Sequence, residues 1–152
     1  MGKTSLVARF VNHTFSDKYL STVGVSIKTK IINQTEDEAT KLIIWDIAGE
    51  ERFSNATERY IRGANGFLIV ADGTRQDTID AARRLRGELN QMLGDVPSVS
   101  LLNKADLSEA WAAELPIGEN PENKILDGQV ATSAKTGLNV DFAFQQLATK
   151  LS

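Results

Sequence analysis

Gly2, Lys3 and Thr4 are residue types that together can bind a phosphate group at the start of a helix. Backbone N–H groups at a helix N-terminus attract anions, a lysine neutralises phosphate oxygens, and a hydroxyl can ligate Mg²⁺. The three residues match the second half of the pattern Gly-x-x-x-x-Gly-Lys-Ser/Thr, and apolar residues at helical spacing follow them. The alternative to phosphate binding is a flexible basic segment in which Thr4 caps the helix. The three residues alone do not decide between these two interpretations.

Asp46 follows the apolar run Leu42 to Trp45, which predicts a strand buried on both faces. A carboxylate at the end of a buried strand is costly unless a cation meets it. Hydrated Mg²⁺ beside a triphosphate is one such cation, and the backbone N–H of Gly49 can contact the γ-phosphate. The alternative is that Asp46 caps the next helix, predicted over residues 52–62.

The segment Asn103–Asp106 follows the apolar run 99–102 and can recognise a purine base. The carboxylate of Asp106 can accept hydrogen bonds from N1–H and the 2-amino group of guanine, and adenine lacks this pair of donors. Asn103 can tie its loop to others, and the stem of Lys104 can lie along the base. An ordinary turn is the alternative, but the position after a buried strand favours base recognition.

Ser133, Ala134 and Lys135 form a fourth candidate loop, before the last predicted helix. The backbone N–H of Ala134 can contact O6 of guanine, although the triplet alone is a weak indication. The four loops occur in one order along the chain, those of Asp46 and Asn103 directly after predicted strands, and together they are suited to a guanine nucleotide with Mg²⁺. This combination favours the nucleotide-binding interpretation of each loop.

Extended and helical patterns alternate along the chain and predict an α/β fold with a mostly parallel sheet flanked by helices. Extended segments are predicted at residues 25–31, 42–45, 67–70 and 99–102, and helices at residues 6–11, 82–93 and 140–151. Gly94 is expected to end the second of these helices, and Trp45 is expected in the core. The carboxyl ends of parallel strands are where such folds bind ligands. The pattern of residues 107–115 predicts a helix, but the sequence does not locate the last strand.

Composition limits the classes of function. The 152 residues suit one domain, and the net charge of −3 gives no general case for nucleic acid as a partner. The absence of cysteine excludes disulfides, zinc–thiolate sites, prenylation and palmitoylation within this sequence. No segment approaches the ~20 apolar residues of a membrane span. We therefore expect a cytoplasmic monomer without a direct lipid anchor.

The motifs resemble those of a Ras-superfamily small GTPase, most closely of the Rab branch. Thr22 to Val25 resembles the Rab effector segment, Trp45 to Phe53 resembles switch II, and Arg62-Gly63-Ala64 resembles the segment after it. Thr22 lies 18 residues after Thr4, the spacing of the switch I threonine in that family. The resemblance implies a Ras-like P-loop NTPase fold over residues 1–152 and a switch that binds GTP or GDP with Mg²⁺.

The resemblance also implies roles for individual residues. The implied nucleotide-binding residues are Gly2, Lys3, Thr4, Ser5, Phe15, Thr22, Gly49, Asn103, Lys104, Asp106, Ser133, Ala134 and Lys135; the implied metal-binding residues are Thr4, Thr22 and Asp46; and the implied catalytic residues are Lys3, Gly49 and Glu50. Phe15 is expected either to pack edge-on against guanine or to anchor a mobile loop. Residues of about 20–27 and 49–63 are expected to bind an effector, an exchange factor and a GTPase-activating protein.

Two departures from the family pattern carry expectations of their own. The chain begins within the phosphate-binding loop, so the first central strand is expected to be missing, the fold poorly stable and nucleotide binding weak. A bacterial start codon placed too far downstream is one explanation, since Met1 stands where Val is usual, and upstream DNA would test it. Glu50 replaces the usual glutamine that orients the attacking water, so slow hydrolysis is expected.

Rival functions follow from the same departures. A pseudo-GTPase that binds nucleotide without hydrolysis, or a module that binds only an effector, is the alternative to a GTPase. An ATP-using P-loop enzyme is a third possibility, which Asn103–Asp106 disfavours.

Overall fold

The computed structural model describes residues 2–16, 25–47, 55–110, 125–126 and 129–151. Helices and strands alternate along these ranges, as predicted. The elements are α1 (Lys3–Asn12), β1 (Val25–Asn33), β2 (Ala39–Ile47), α2 (Asn55–Arg62), β3 (Phe67–Asp72), α3 (Gln76–Leu93), β4 (Ser98–Asn103), a 3₁₀ helix (Ala105–Ala110), β5 (Ile125–Leu126), β6 (Gln129–Ala131) and α4 (Val140–Leu151). Gly94 follows α3 with φ 73°, which confirms the predicted helix end.

The strands belong to two sheets. β1 and β2 form an antiparallel hairpin, in register from Val25 opposite Ile47 to Asn33 opposite Ala39. The second sheet has the order β3-β4-β6-β5, in which β3, β4 and β6 are parallel and β5 is antiparallel. The predicted α/β fold with a parallel sheet and flanking helices is confirmed. Among the described strands, no ladder joins β2 to β3, so side-chain packing must connect the two sheets.

One hydrophobic core connects the sheets through α1 and α4. Leu42 of β2 and Val70 of β3 belong to the same buried cluster as residues of both helices. At its centre the rings of Phe10 and Phe144 stack with centroids 4.0 Å apart and an interplanar angle of 2°. Burying an aromatic side chain contributes about 1.5–3 kcal/mol, and an aromatic pair adds about 0.5–1.5 kcal/mol. The position of α1 therefore depends on packing against both sheets.

The expectation that Trp45 lies in the core is wrong. The residues of β2 alternate: Leu42 is 8 % exposed, Ile43 is 58 % exposed and Trp45 is 44 % exposed. In an antiparallel hairpin successive side chains point to opposite faces, and only one face of this hairpin packs against the core. A continuous apolar run does not distinguish such a strand from one buried on both faces.

The predicted strand at residues 25–31 is confirmed, but its more apolar face is the exposed one. Ile27 and Ile31 are 52 % and 62 % exposed, whereas Ile32, on the other face, is buried. The side chain of Lys30 also lies on the inner face, where its ammonium group donates to the carbonyl of Phe10 and sits over the ring of that residue. The outer face of the hairpin thus presents isoleucine and tryptophan to solvent.

Three smaller expectations have mixed outcomes. The predicted helix at residues 107–115 is, up to residue 110, part of a 3₁₀ helix, and residues 111–115, with Trp111, lie outside the described residues. The Arg83, Arg84 and Arg86 cluster of α3, whose residue types predict a solvated helix face, is exposed at Arg83 and Arg84, but Arg86 is half-buried and donates to the hydroxyl of Ser100 at 3.1 Å. Among the described helices, none has the length and apolar character needed to cross a membrane.

Leu42 and Ile43 are adjacent in β2 and lie on opposite faces of the hairpin, so they provide a matched test of its one-sided burial. We expect Leu42→Ala to lower the free energy of unfolding by about 2–5 kcal/mol, because it empties part of the core. We expect Ile43→Ala to change it by about 0.5 kcal/mol or less, because its side chain is already solvated. Urea unfolding followed by circular dichroism measures both. Equal losses for the two variants would contradict the one-sided burial of the hairpin.

Candidate functional site

The start of α1 lies against the loop that follows β4. Gly2 caps α1 with φ 87° and ψ 21°, and its carbonyl accepts a hydrogen bond from the N–H of Leu6 at 2.9 Å. A Cβ atom on Gly2 would lie 2.3 Å from Nδ2 of Asn103, which is too close for any side chain. Both the positive φ and the close approach require glycine here. Lys3 and Thr4, the first helical residues, are thereby placed beside the end of β4.

Thr4 and Asp46 are 42 positions apart in sequence and meet at the end of β2. The Thr4 hydroxyl donates to Oδ2 of Asp46 at 2.7 Å, and Asp46 is 5 % exposed. Carboxylate and hydroxyl oxygens are ligands that Mg²⁺ accepts, and this ion usually takes one or two carboxylates together with phosphate oxygens and water. Within the described ranges, no three Asp, Glu, His or Cys residues form a cage. The pair therefore fits a magnesium ion shared with a phosphate.

The carboxamide of Asn103 connects three segments. Asn103 ends β4 and is 3 % exposed. Its Oδ1 accepts from the hydroxyl of Thr132 and from the N–H of Ala134, both at 3.3 Å, while its Nδ2 faces Gly2. The N–H of Ala105 donates to the carbonyl of Thr132 at 2.9 Å, a second link between the loops after β4 and β6. Asn103 thus joins these two loops and the start of α1.

Asp106 is held by a side chain from the loop after β6. The hydroxyl of Ser133 donates to Oδ1 of Asp106 at 2.7 Å and accepts from the N–H of Thr136 at 3.1 Å. Ser133 is fully buried, whereas Asp106 is exposed. The buried hydroxyl of Ser133 therefore orients the Asp106 carboxylate, which remains accessible to a ligand with two neighbouring N–H donors.

Lys104 is anchored by a residue that sequence reasoning missed. Its backbone is in the left-handed region, with φ 69°, and its ammonium group lies 2.7 Å from Oδ2 of Asp72. Asp72 ends β3, is 1 % exposed, and also accepts from the N–H and the hydroxyl of Thr74 at 2.9 and 2.6 Å. Because Asp72 lies opposite Asn103 in the ladder, it reaches the residue after Asn103 directly.

The electrostatics of Asp72 follow from these contacts. Burial raises the pKa of its carboxyl group, but the hydrogen bonds from Lys104 and Thr74, with the charge of Lys104, lower it more. The net pKa lies below the ordinary value of 3.8. Asp72 therefore remains ionised and keeps the Lys104 ammonium group in place at neutral pH. The signal that could have identified it is the one that identified Asp46: a carboxylate at the end of an apolar strand.

The remaining predicted site residues are less constrained. Ser5 follows Thr4 in the first turn of α1 and is half-buried, Lys135 is exposed, and Phe15 lies three residues beyond α1 with 36 % exposure. Thr22, Gly49 and Glu50 lie outside the described residues. Their assignments remain predictions from sequence.

Removing the Asp72 carboxylate should destabilise the protein in a pH-dependent way. We expect Asp72→Asn to lower the free energy of unfolding by about 1.5–3 kcal/mol at pH 7, the range for a hydrogen bond to a charged group. A pKa lowered by folding gives stability that is complete above the unfolded-state pKa and is lost as pH falls through the folded-state pKa. The deficit should therefore be constant above about pH 5 and shrink below 3.8.

Urea titrations at several pH values measure this deficit. Asp77→Asn is the matched control, because Asp77 pairs with Arg75 on the surface and both side chains are mostly exposed. Its loss should cost about 1 kcal/mol or less. A deficit for Asp72→Asn that does not change with pH would show that ionisation of Asp72 is not its cause.

Comparison with known proteins places this geometry in a family. The model of the Ras family matches residues 1–152. The chain is 35 % identical to Ras-related protein Rab-7L1 of Rattus norvegicus, and the match covers 99 % of this chain and 76 % of the relative. It is 33 % identical to Ras-related protein RIC1 of Oryza sativa subsp. japonica, with coverages of 99 % and 75 %. It is 32 % identical to GTP-binding protein ypt1 of Schizosaccharomyces pombe, with coverages of 99 % and 74 %.

These matches confirm the resemblance to small GTPases of the Rab kind. Members of the family bind GTP or GDP with Mg²⁺, and they bind effectors and regulators of the nucleotide state. The chain belongs to the Ras family, whose members are GTPases, and is a GTP-binding molecular switch.

Proposed function

We propose that the nucleotide lies across the carboxyl ends of β2, β4 and β6, with its phosphates at residues 2–5 and its base at residues 103–106 and 133–135. The observation that carries this assignment is the Asn103 carboxamide, which touches both the start of α1 and the loop of Ala134. One buried side chain therefore fixes the distance between the proposed phosphate end and the proposed base end.

At the base end, Asp106 accepts from N1–H and the 2-amino group of guanine. The hydroxyl of Ser133 supports this role, because it holds the carboxylate through one lone pair of Oδ1 and leaves acceptor capacity on both oxygens for the ligand. The N–H of Ala134 donates to O6, and the Lys104 stem lies along the base. The Asp72 contact supports the last role, because it holds the ammonium group away from the ring.

At the phosphate end, the N–H groups of the first turn of α1, including those of Lys3, Thr4 and Ser5, bind phosphate oxygens. Lys3 neutralises the charge that develops on the transferred phosphoryl group. Thr4 and Asp46, already in contact, hold Mg²⁺ directly and through water. When bound there, the ion would neutralise part of the phosphate charge.

The two switch segments complete the proposed site. Thr22 ligates Mg²⁺ and Gly49 contacts the γ-phosphate, so that loss of this phosphate releases both segments. Glu50 occupies the position that orients the attacking water. These roles rest on the resemblance in sequence.

Effectors, exchange factors and GTPase-activating proteins bind residues of about 20–27 and 49–63 in this proposal. Exposed apolar side chains support it: Ile27 lies opposite Trp45 in the hairpin, and the Trp45 ring is 5.3 Å from that of Tyr60 on α2. Tyr60 is 48 % exposed. Exposed aromatic residues are common anchors of protein interfaces. In this proposal the protein acts as a cytoplasmic monomer.

Base recognition by Asp106 predicts an exchange of specificity. Asp106→Asn offers one donor and one acceptor, which suit the 2-oxo group and N1–H of xanthine. We expect this variant to bind GDP about 100-fold more weakly and XDP more tightly than the wild type, since a mismatched buried polar contact costs about 1–3 kcal/mol. Titration with fluorescent GDP and XDP measures both affinities.

The exposed Asp95 provides the control for this exchange. Asp95→Asn makes the same change in charge outside the proposed site and should leave both affinities unchanged. Retention of wild-type GDP preference by Asp106→Asn would contradict the assignment of the base end.

The carboxylate of Glu50 predicts slow hydrolysis. Beside a triphosphate it adds negative charge and, when ionised, donates no hydrogen bond to the γ-phosphate. We expect Glu50→Gln to speed single-turnover hydrolysis of bound GTP by about tenfold, which corresponds to about 1.4 kcal/mol in the barrier. Phosphate release after mixing with Mg²⁺ measures the rate.

Glu51→Gln removes the same charge one residue later and is the matched control. It should leave the rate of hydrolysis near that of the wild type. If Glu50→Gln does not accelerate hydrolysis, the charge of Glu50 is not what limits the rate. Tight GTP binding with no phosphate release from either variant would instead favour a pseudo-GTPase.

A further inference from the structure

Arg9, in the last turn of α1, binds the loop that follows β6. Its Nε donates to the carbonyl of Ala134 at 2.7 Å, and one terminal nitrogen donates to the carbonyl of Lys135 at 2.5 Å. The other terminal nitrogen is 3.4 Å from the carbonyl of His13, the residue that caps α1. One half-buried guanidinium group thus joins two consecutive carbonyls across 125 and 126 positions of sequence.

This geometry suits arginine and no other cation. A guanidinium group is planar, always charged, and presents its donors in a fixed fork, whereas an ammonium group is a single point of charge. Charge-assisted hydrogen bonds are also shorter and stronger than neutral ones. The two carbonyls belong to the peptide groups on either side of Lys135, so Arg9 fixes the orientation of both. The peptide group that carries the Ala134 N–H directly precedes them.

The hydrogen bond that this N–H donates is long. The N–H of Ala134 donates to Oδ1 of Asn103 at 3.3 Å, which is long for an N–H···O hydrogen bond. A donor held at this distance can be shared with a second acceptor, as in three-centre hydrogen bonds. Its direction therefore depends on what holds the backbone of Ala134 and Lys135 in place. Arg9 holds the carbonyls of Ala134 and Lys135, and the N–H of Gly137 holds the preceding carbonyl of Ser133 at 2.8 Å.

We propose that Arg9 is a positioning residue, which aims the Ala134 N–H at O6 of guanine and couples the helix of the phosphate end to the base loop. This role rests on the proposed function. Arg9 touches no part of the nucleotide and acts only through the carbonyls of residues 134 and 135. Since α1 begins with Lys3 and Thr4 and ends near Arg9, a shift at either end of α1 is transmitted to the other end of the ligand.

A comparison of two ligands separates this role from a general effect on folding. GDP carries O6 and N1–H, whereas the diphosphate of 2-aminopurine riboside lacks both and keeps the 2-amino group and both phosphates. The lost N1–H contact to Asp106 is the same for every variant of Arg9, so a change in the ratio of the two affinities reports on O6. We expect Arg9→Ala to weaken GDP binding about tenfold or more and to weaken binding of the analogue much less. The ratio of the two affinities does not depend on the fraction of protein that is folded.

Two further variants complete the design. Arg9→Lys keeps the charge but not the fork, and should give a ratio between those of the wild type and Arg9→Ala. Arg84→Ala removes an exposed arginine of α3 and should leave the ratio unchanged. Titration of each protein with both diphosphates in the presence of Mg²⁺ gives the affinities.

Three results would overturn the proposal in different ways. Equal weakening of both ligands by Arg9→Ala would show that Arg9 supports only the fold. Unchanged binding of both would show that it has no role in the site. If the wild type prefers GDP no more than the analogue, the proposed base end fails, and the role of Arg9 fails with it.

Discussion

The burial of the Asn103 carboxamide is the constraint on which the candidate site depends. A buried amide must find hydrogen-bond partners, because an unsatisfied polar group costs about 1–3 kcal/mol. Asn103 finds them in the loop after β6, and its remaining nitrogen faces a residue whose lack of a side chain allows the approach. Among the described residues, no buried side-chain nitrogen or oxygen lacks a partner. The loops are therefore held by polar contacts that are costly to break singly.

Because the strands form two separate sheets, the helices α1 and α4 must hold the sheets together. Backbone ladders hold β1 to β2 and β3 to β4, but among the described strands only side chains connect the hairpin to the larger sheet. The core of α1 and α4 provides that connection, and Thr4 with Asp46 adds a polar contact at one end. The same helix α1 thus packs between the sheets and begins at the proposed phosphate end. Its packing and its ligand contacts are not independent.

Part of the candidate site could be predicted from sequence because polar residues follow apolar strands, and the carboxyl ends of β3, β4 and β6 lie at one edge of a parallel sheet. Asp46, Asn103 and Asp106 were identified in this way. Asp72 follows the same rule, but the rule does not predict its pairing with Lys104. Such a pairing depends on the register between β3 and β4, which the apolar pattern does not specify.

The structure also differs from the sequence predictions where tertiary packing determines which side chains are buried. The apolar run of β2 predicted burial of Trp45, but its neighbours cover only one face of the hairpin. Arg9 carried no sequence signal, since a charged residue at the end of an amphipathic helix usually contacts solvent. Its partners are backbone carbonyls, and no residue type marks a carbonyl that accepts a hydrogen bond from a distant side chain. The glycine at position 2, in contrast, was correctly associated with the helix start by its neighbours.

Formal charges in the proposed site indicate what Mg²⁺ contributes. At the base end, Asp72 neutralises Lys104, so discrimination there depends on the direction of hydrogen bonds. At the phosphate end, the carboxylate of Asp46 offsets the charge of Lys3, and the start of α1 adds only about half a positive charge. This sum is far below the charge of a nucleoside triphosphate. On the proposed assignment a divalent cation held by Thr4 and Asp46 would supply part of the positive charge that these groups lack.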